Sequence, residues 1–328
     1  MATSKHLLAL LRSHIDGDED QFYSVALQVA ANEAKQGHGR LAQELRQLVE
    51  AGRTTPKVYH DDKPALLAQP KGELGNIVAA SYPDIRLSSM ILDESIEESL
   101  RRILLENRQR VRLKQYGLNP RRKILFIGPP GSGKTMSASA IAGELKLPLM
   151  TVLLDGIITK FLGETASKLR VLFDAIAQSR GVYFFDEFDA LGSKRSEKND
   201  VGEIRRVLNS FLQFLEKDNG ESIIIAATNH VELLDPALFR RFDDVIEYAL
   251  PNEFVVQRII EVRFATFRLE KLNWSTILKK AKGLSHAELV KACDDAAKNA
   301  VLKNRDVITQ QDLLSALTER ISACNRKI

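Results

Sequence analysis

Apolar positions in the first fifty residues recur with helical spacing: Leu7, Leu8 and Leu11, then Phe22, Val25, Ala26, Val29 and Ala30, then Leu41, Leu45 and Leu48. The breaks fall at "DGDED" and "GHG", which predicts a small bundle of about two or three helices over 1–51. Asp18 to Asp20 favour the start of the second helix through the helix dipole. The bundle reads either as a packing or dimerisation element or as a module that recruits a partner. Periodicity is lost over 52–87, among Pro56, Pro64, Pro70, Pro83 and the Asp61-Asp62 pair, which predicts a linker. Asp93 then caps a long helix to about Gln115, with Ile96, Leu100, Ile103 and Leu104 on one face and Gly117 as its stop.

After Arg122 the pattern changes to short continuous apolar runs separated by helical stretches. The runs are "KILFI" from Lys123, "PLMTVLL" from Pro148, "VYFFD" from Val182, "SIIIAAT" from Ser222 and "DVIEYAL" from Asp244. Runs without polar alternation are what a parallel sheet covered on both faces requires, so 88–250 reads as an α/β domain. Beyond Pro251 only helical patterns follow, at about 252–267, 274–281, 286–302 and 310–322, with Ser285 and Thr309 as N-caps. They predict a small helical subdomain over 251–328.

Composition alters this picture little. With 328 residues, 44% hydrophobic and 27% charged, the chain has the profile of an ordinary globular protein. A net charge of +4, from 47 basic and 43 acidic residues, selects no class of partner. One local excess stands out: residues 97 to 123 hold nine Lys or Arg against three Glu. It reads as a basic patch for a polyanion or as a solvated helix face. Cys293 and Cys324 lack the spacing of a disulfide framework or a zinc site, and no segment approaches ~18 consecutive apolar residues. A reduced, cytoplasmic protein without a membrane span is the expectation.

The chemistry concentrates at strand ends. "GPPGSGKT", Gly128 to Thr135, follows the "KILFI" strand and opens an Ala-rich helix, the context of a phosphate-binding loop. Its backbone from Pro130 through Gly131, Ser132 and Gly133, with the helix start at Lys134, Thr135 and Met136, would cradle phosphate oxygens. Lys134 is expected to bridge the β- and γ-phosphates and the Thr135 hydroxyl to ligate Mg²⁺. "VYFFDE" ends a strand with Asp186 and Glu187. Asp186 would join the Mg²⁺ shell and Glu187 would act as general base on water, unless the two acids form a plain solvated turn. Asn229, closing "IIAATN", suits positioning of that water or is a simple turn residue. Arg240 and Arg241 in "LLDPALFRRFDD" read as a salt-bridged surface or as donors to a phosphate supplied from outside.

In this order, "GPPGSGKT", "KFLGE", "VYFFDE", "ATN" and "LDPALFRRFD", the segments resemble the AAA family of ATPases, a branch of the AAA+ P-loop enzymes. The resemblance covers about 88–322 and implies an α/β ATPase subdomain, a small helical lid and a ring, usually a hexamer, with ATP at subunit interfaces. It implies that Arg241, with Arg240 beside it, reaches the neighbour's γ-phosphate, although many members separate the two arginines. It aligns "TKFLGET" with a first pore loop in which Phe161 and Leu162 would grip an extended polypeptide, with Lys160 and Gly163 as the flanks that hold the turn open. The alternative is that Phe161 and Leu162 pack under the following helix. The polar stretch Ser196 to Glu203 would be a second channel loop. Met90, Ile91 and Leu92 stand where base contacts are expected. His286 replaces a common glycine in "GLSHAEL" and either approaches the ribose or adenine or is a solvated cap residue.

The implied function is a homohexameric, Mg²⁺-dependent ATPase that pulls on a protein client, in the manner of a chaperone. The alternatives are a nucleotide switch bound to a partner enzyme such as a protease, and a nucleic-acid motor. The apolar Phe161-Leu162 pair argues against the last.

Overall fold

The computed structural model describes residues 25–27, 29–31, 42–43, 47, 49, 72–157, 162–191, 201–234 and 236–325. The chain divides into two compact units, Met1–Leu66 and Leu67–Ile328. In the first, the described residues are helical, and Val25, Ala26, Val29, Ala30, Ala42 and Val49 are buried. The rest of the expected bundle, and residues 52–71 of the expected linker, lie outside the described residues.

The second unit is built on a six-stranded sheet: β1 Val78–Ser81, β2 Lys123–Ile127, β3 Leu149–Val152, β4 Val182–Phe185, β5 Ile223–Thr228 and β6 Asp244–Glu247, in the order β1-β3-β4-β5-β2-β6. All neighbours are parallel except β1, which pairs antiparallel with β3 at the edge, Val78 opposite Val152 and Ser81 opposite Leu149. Residues 78–81 are therefore sheet and not linker, which corrects the expectation for 52–87 in that part. "VAAS" has no alternating pattern to announce a strand, and its hydrogen-bond partners lie far along the chain.

Alternation of side chains across the pleat gives the sheet two apolar faces. Leu125, Ile127, Met150, Tyr183, Phe185, Ile224 and Ala226 face α5 (Leu162–Gln178) and α6 (Val201–Lys217), where Phe211 lies 5.1 Å from the Phe185 ring and 4.9 Å from Phe188. Ile124, Phe126, Leu149, Val182, Phe184, Ile225 and Ala227 face α1 (Glu94–Arg108) and α3 (Lys134–Leu145). The one-turn α4 (Leu154–Ile157) follows β3. The long helix expected from Asp93 is two helices: α1 stops at Gln109 and α2 runs Arg110–Gln115, with Gly117 at φ +72°. Asp93 caps α1 by accepting from the Ser95 N–H at 3.2 Å.

A third core belongs to α7 (Glu253–Arg263), α8 (Trp274–Ala281), α9 (His286–Leu302) and α10 (Gln310–Asn325). Ser285 and Glu288 form a reciprocal capping box on α9. Thr309 and Asp312 do the same before α10, and Arg305 grips the Asp312 carboxylate with two 2.9 Å bonds that hold it well below the usual carboxylate range. The subdomain is not purely helical as expected: Arg268–Leu269 (β7) and Val307–Ile308 (β8) form a parallel two-residue ladder, too short to leave a pattern in the sequence. Burial pushes the Cys293 thiol in this core up to about 12. No helix among the described residues is long and apolar enough to cross a membrane.

The basic stretch 97–123 is largely neutralised. Arg101 pairs with Glu97, Arg102 with Glu106, Arg108 with Glu144, Arg110 and Lys114 with Glu221, Arg121 with Asp244, and Arg122 with Asp218. Most of these acids come from distant parts of the chain, where a local charge count does not see them.

Candidate functional site

Parallel strands aim their carboxyl ends at one edge, and β4, β5 and β2 lie side by side there. Past Ile127 the chain turns at Gly128. A Cβ here would come within 2.2 Å of the Tyr248 carbonyl oxygen, so only glycine lets the exit of β2 press against the exit of β6. Gly128 N–H donates to Thr228 O at 3.2 Å, tying the loop to the end of β5. Gly131 sits at φ +74°, and a Cβ on it would lie 2.8 Å from Ser285 Oγ. Its carbonyl accepts from the Ala287 N–H at 3.0 Å. The loop is thus seated against the first turn of α9, and Gly133 leads it into α3, whose free N–H groups form an anion-attracting end.

Lys134 is buried, and its ammonium donates to Gly128 O at 2.7 Å, Pro129 O at 2.9 Å and Asn229 Oδ1 at 2.8 Å. Burial lowers its pKa, and the charges of Asp186 and Asp189 oppose that shift. Thr135 Oγ1 donates to Asp186 Oδ2 at 3.1 Å. Four residues predicted separately, Lys134, Thr135, Asp186 and Asn229, are therefore linked in two polar contacts across three adjacent strand ends. Glu187 is exposed beside them in the left-handed region at φ +49°, a conformation that costs a non-glycine residue roughly 1–2 kcal/mol. Its N–H donates to Asp186 Oδ1 at 3.0 Å.

Around this cluster are polar atoms without partners. Ser132 Oγ and both ring nitrogens of His286 are buried and have no hydrogen-bond partner among the described residues. Burial lowers the His286 pKa, favouring the neutral ring. Buried polar groups are nearly always satisfied, so these mark where a polar ligand fits. Pro130, Gly131, Thr135 and Met136 are exposed beside them. Met90 Cε and Leu92 Cδ2 both stand 3.8 Å from where a Gly133 Cβ would be, while Ile91 packs with the helical subdomain. For a hard cation, Thr135 and Asp186 offer adjacent oxygens. No group of three or more His, Cys, Asp or Glu placed to hold a metal ion by themselves occurs among the described residues.

Other predicted residues stand apart. Arg240 is exposed at the end of the 3₁₀ helix Pro236–Arg241, and Arg241 is paired with Glu216 of α6. No polar contact recorded among the described residues joins either arginine to the Lys134 cluster. Lys160 and Phe161 lie outside the described residues, whereas Leu162 and Gly163 begin α5. Most of the second polar stretch is likewise outside, and α6 begins within it at Val201. Two residues escaped the sequence reading. Asp189 accepts from Thr228 Oγ1 at 2.9 Å, and its only signal was its place three residues after Asp186. Glu216 lies in a helix whose sequence gives no sign of its pairing with Arg241.

The model of the family described as "ATPase family associated with various cellular activities (AAA)" matches residues 124–250, which run from the second residue of β2 through β6 and include every strand-end residue above. AAA family ATPase y4kL of Sinorhizobium fredii is 33% identical over 321 residues, covering 97% of this chain and 96% of that protein. A proteasome-activating nucleotidase of Methanoregula boonei is 36% identical over 234 residues, 69% of this chain and 54% of its own length. Another, from Saccharolobus islandicus, is 33% identical over 237 residues, 70% of this chain and 60% of its own length.

Proposed function

The chain belongs to the AAA family of ATPases, and on that premise we propose that it hydrolyses ATP with Mg²⁺ and uses the energy, as a homohexameric ring in the cytoplasm, to remodel a protein client. One observation carries the reading: the contacts that join Lys134 to Asn229 and Thr135 to Asp186 at the edge where the phosphate-binding loop opens.

An ammonium has three N–H donors, and those of Lys134 are committed to two loop carbonyls and Asn229. A phosphate entering the loop must displace one of them. The carbonyls of Gly128 and Pro129 are fixed in the backbone, so the Asn229 carboxamide is the partner that gives way, and its freed oxygen and N–H₂ then orient the attacking water. Glu187 accepts the proton of that water. Thr135 and Asp186 would hold Mg²⁺, which would supply positive charge to offset that of the phosphates. Ser132, with the backbone N–H groups from Gly131 to Met136, holds the phosphates. His286, neutral and unpartnered, takes a hydrogen bond from or to the ribose or adenine, flanked by Met90 and Leu92.

Arg241 serves the neighbouring subunit's γ-phosphate, with Arg240 beside it, exchanging Glu216 for that phosphate when the ring closes. Phe161 and Leu162 contact the client in the channel, flanked by Lys160 and Gly163, and residues 1–51 recruit it. The name of the nucleotidase relatives favours a second reading, in which this chain controls a partner protease.

Glu187→Gln tests the core of the proposal. ATP affinity is expected to stay within about threefold while phosphate release falls by roughly 10²–10⁴, the scale of a lost general base. The stalled protein should retain its client in ATP. Wild-type turnover by this variant would overturn the assignment.

A further inference from the structure

Thr228 is the last residue of β5, 1% exposed, and immediately precedes Asn229. Its hydroxyl is used in both directions. The oxygen accepts the His230 N–H at 3.0 Å, and the proton goes to Asp189 Oδ1 at 2.9 Å. Occupation by His230 leaves the hydroxyl proton with one strong acceptor, so the direction of this relay is set. The Thr228 carbonyl meanwhile accepts the Gly128 N–H at 3.2 Å. Residues on both sides of Asn229 are therefore clamped while its side chain stays free to exchange Lys134 for another partner. Asp189 lies in the 3₁₀ turn Phe188–Leu191, directly after Asp186 and Glu187.

From this juxtaposition we infer that Asp189 is a positioning residue for hydrolysis: through Thr228 it locks the loop carrying Glu187 to the loop carrying Asn229, so that base and water-orienting amide keep one fixed separation. The inference rests on the ATPase reading above but makes its own demand on structure. Asp189 itself touches no reacting atom. It acts through an accepted hydrogen bond, which the carboxamide oxygen of an Asn side chain still supplies and an Ala does not. Thr228→Val, which keeps the shape and removes the hydroxyl, should reproduce the loss.

The test uses full-length Asp189→Ala, Asp189→Asn and Thr228→Val proteins, each measured for kcat, ATP affinity, Tm and hydrogen exchange at the His230 amide. Asp189→Ala and Thr228→Val are expected to lower kcat on the order of ten- to a hundredfold, the scale of one buried hydrogen bond, with ATP affinity within about threefold. Exchange at His230 should rise in both. Asp189→Asn should recover kcat to within about threefold of wild type. The inference is overturned if Asp189→Asn is as impaired as Asp189→Ala, which would assign the effect to charge. It also falls if kcat and ATP affinity drop together with Tm, or if His230 exchange is unchanged. A wild-type protein that binds ATP but does not turn it over would sink the ATPase reading instead, and the His230 exchange would still decide whether the clamp exists.

Discussion

The two ends of the sheet handle charge in opposite ways. At the amino ends of the strands, Arg122 is clasped by the Asp218 side chain and its carbonyl, Arg121 by Asp244, and Asp243 accepts the N–H groups of Arg122 and Lys123 at 2.9 Å. At the carboxyl ends, Ser132 Oγ and both nitrogens of His286 are buried without partners, one of the three partners of Lys134 is the exchangeable side chain of Asn229, and Glu187 adopts a strained backbone. The first end spends its polar groups on holding the fold. The second leaves some of them unpartnered, a state that costs stability and makes sense where a ligand completes it. The same contrast explains why a stretch with nine cations is a poor polyanion surface: most of its charge is already matched.

Substitutions at the two ends should have opposite signatures. The largest effect is expected from Asp218→Ala. Arg122 is then left 12% exposed with no carboxylate, and breaking such a pair costs about 3–5 kcal/mol of stability. Urea denaturation should show that loss, while ATP affinity of the folded fraction stays unchanged. A silent Asp218→Ala would dissolve the contrast.

Next in size is Lys134→Ala, which should reduce turnover by roughly a hundred- to a thousandfold, as for loss of a single preorganised donor, with only a small change in Tm. Steady-state kinetics beside differential scanning calorimetry separates the two quantities. A Lys134→Ala protein that unfolds and keeps its specific activity would reverse the assignment of ends.

The smallest effect concerns pH. Burial lowers the His286 pKa below its ordinary 6.5, so the neutral ring's contribution to stability is complete above that value and is lost as pH falls below it. Melting of wild-type and His286→Gln proteins at pH 7.5 and about pH 5.5 should show the smaller acid-induced drop in the variant. Equal drops would mean that the ring titrates as it does in an unfolded chain.

Much of the carboxyl end was readable in the sequence because it is written locally. Strand, glycine loop and helix are contiguous in "KILFIGPPGSGKT", and Asp186 and Glu187 follow directly on an apolar run. The helix caps at Asp93, Ser285 and Thr309 were likewise legible, because a cap involves residues only a few positions apart. What escaped depends on partners remote in the chain. The edge strand 78–81 is recognisable only beside β3, and the neutralisation of Arg121 and Arg122 requires acids contributed by the first residue of β6 and by the segment before β5. Asp189 gains meaning only when β4 and β5 are neighbours. The adjacent Arg240 and Arg241 were readable as donors, but Glu216 as the holder of Arg241 was not.

The main-chain bond from Ala287 to Gly131 joins the wall of the phosphate loop to the first turn of a helix from a different layer of the molecule. A rotation of the helical subdomain cannot occur without stretching or breaking it, because neither group has a side chain's freedom to follow. That single amide is therefore a built-in gauge of the angle between the two layers, and its solvent exchange with and without nucleotide would record, from one backbone proton, whether the two layers turn relative to each other.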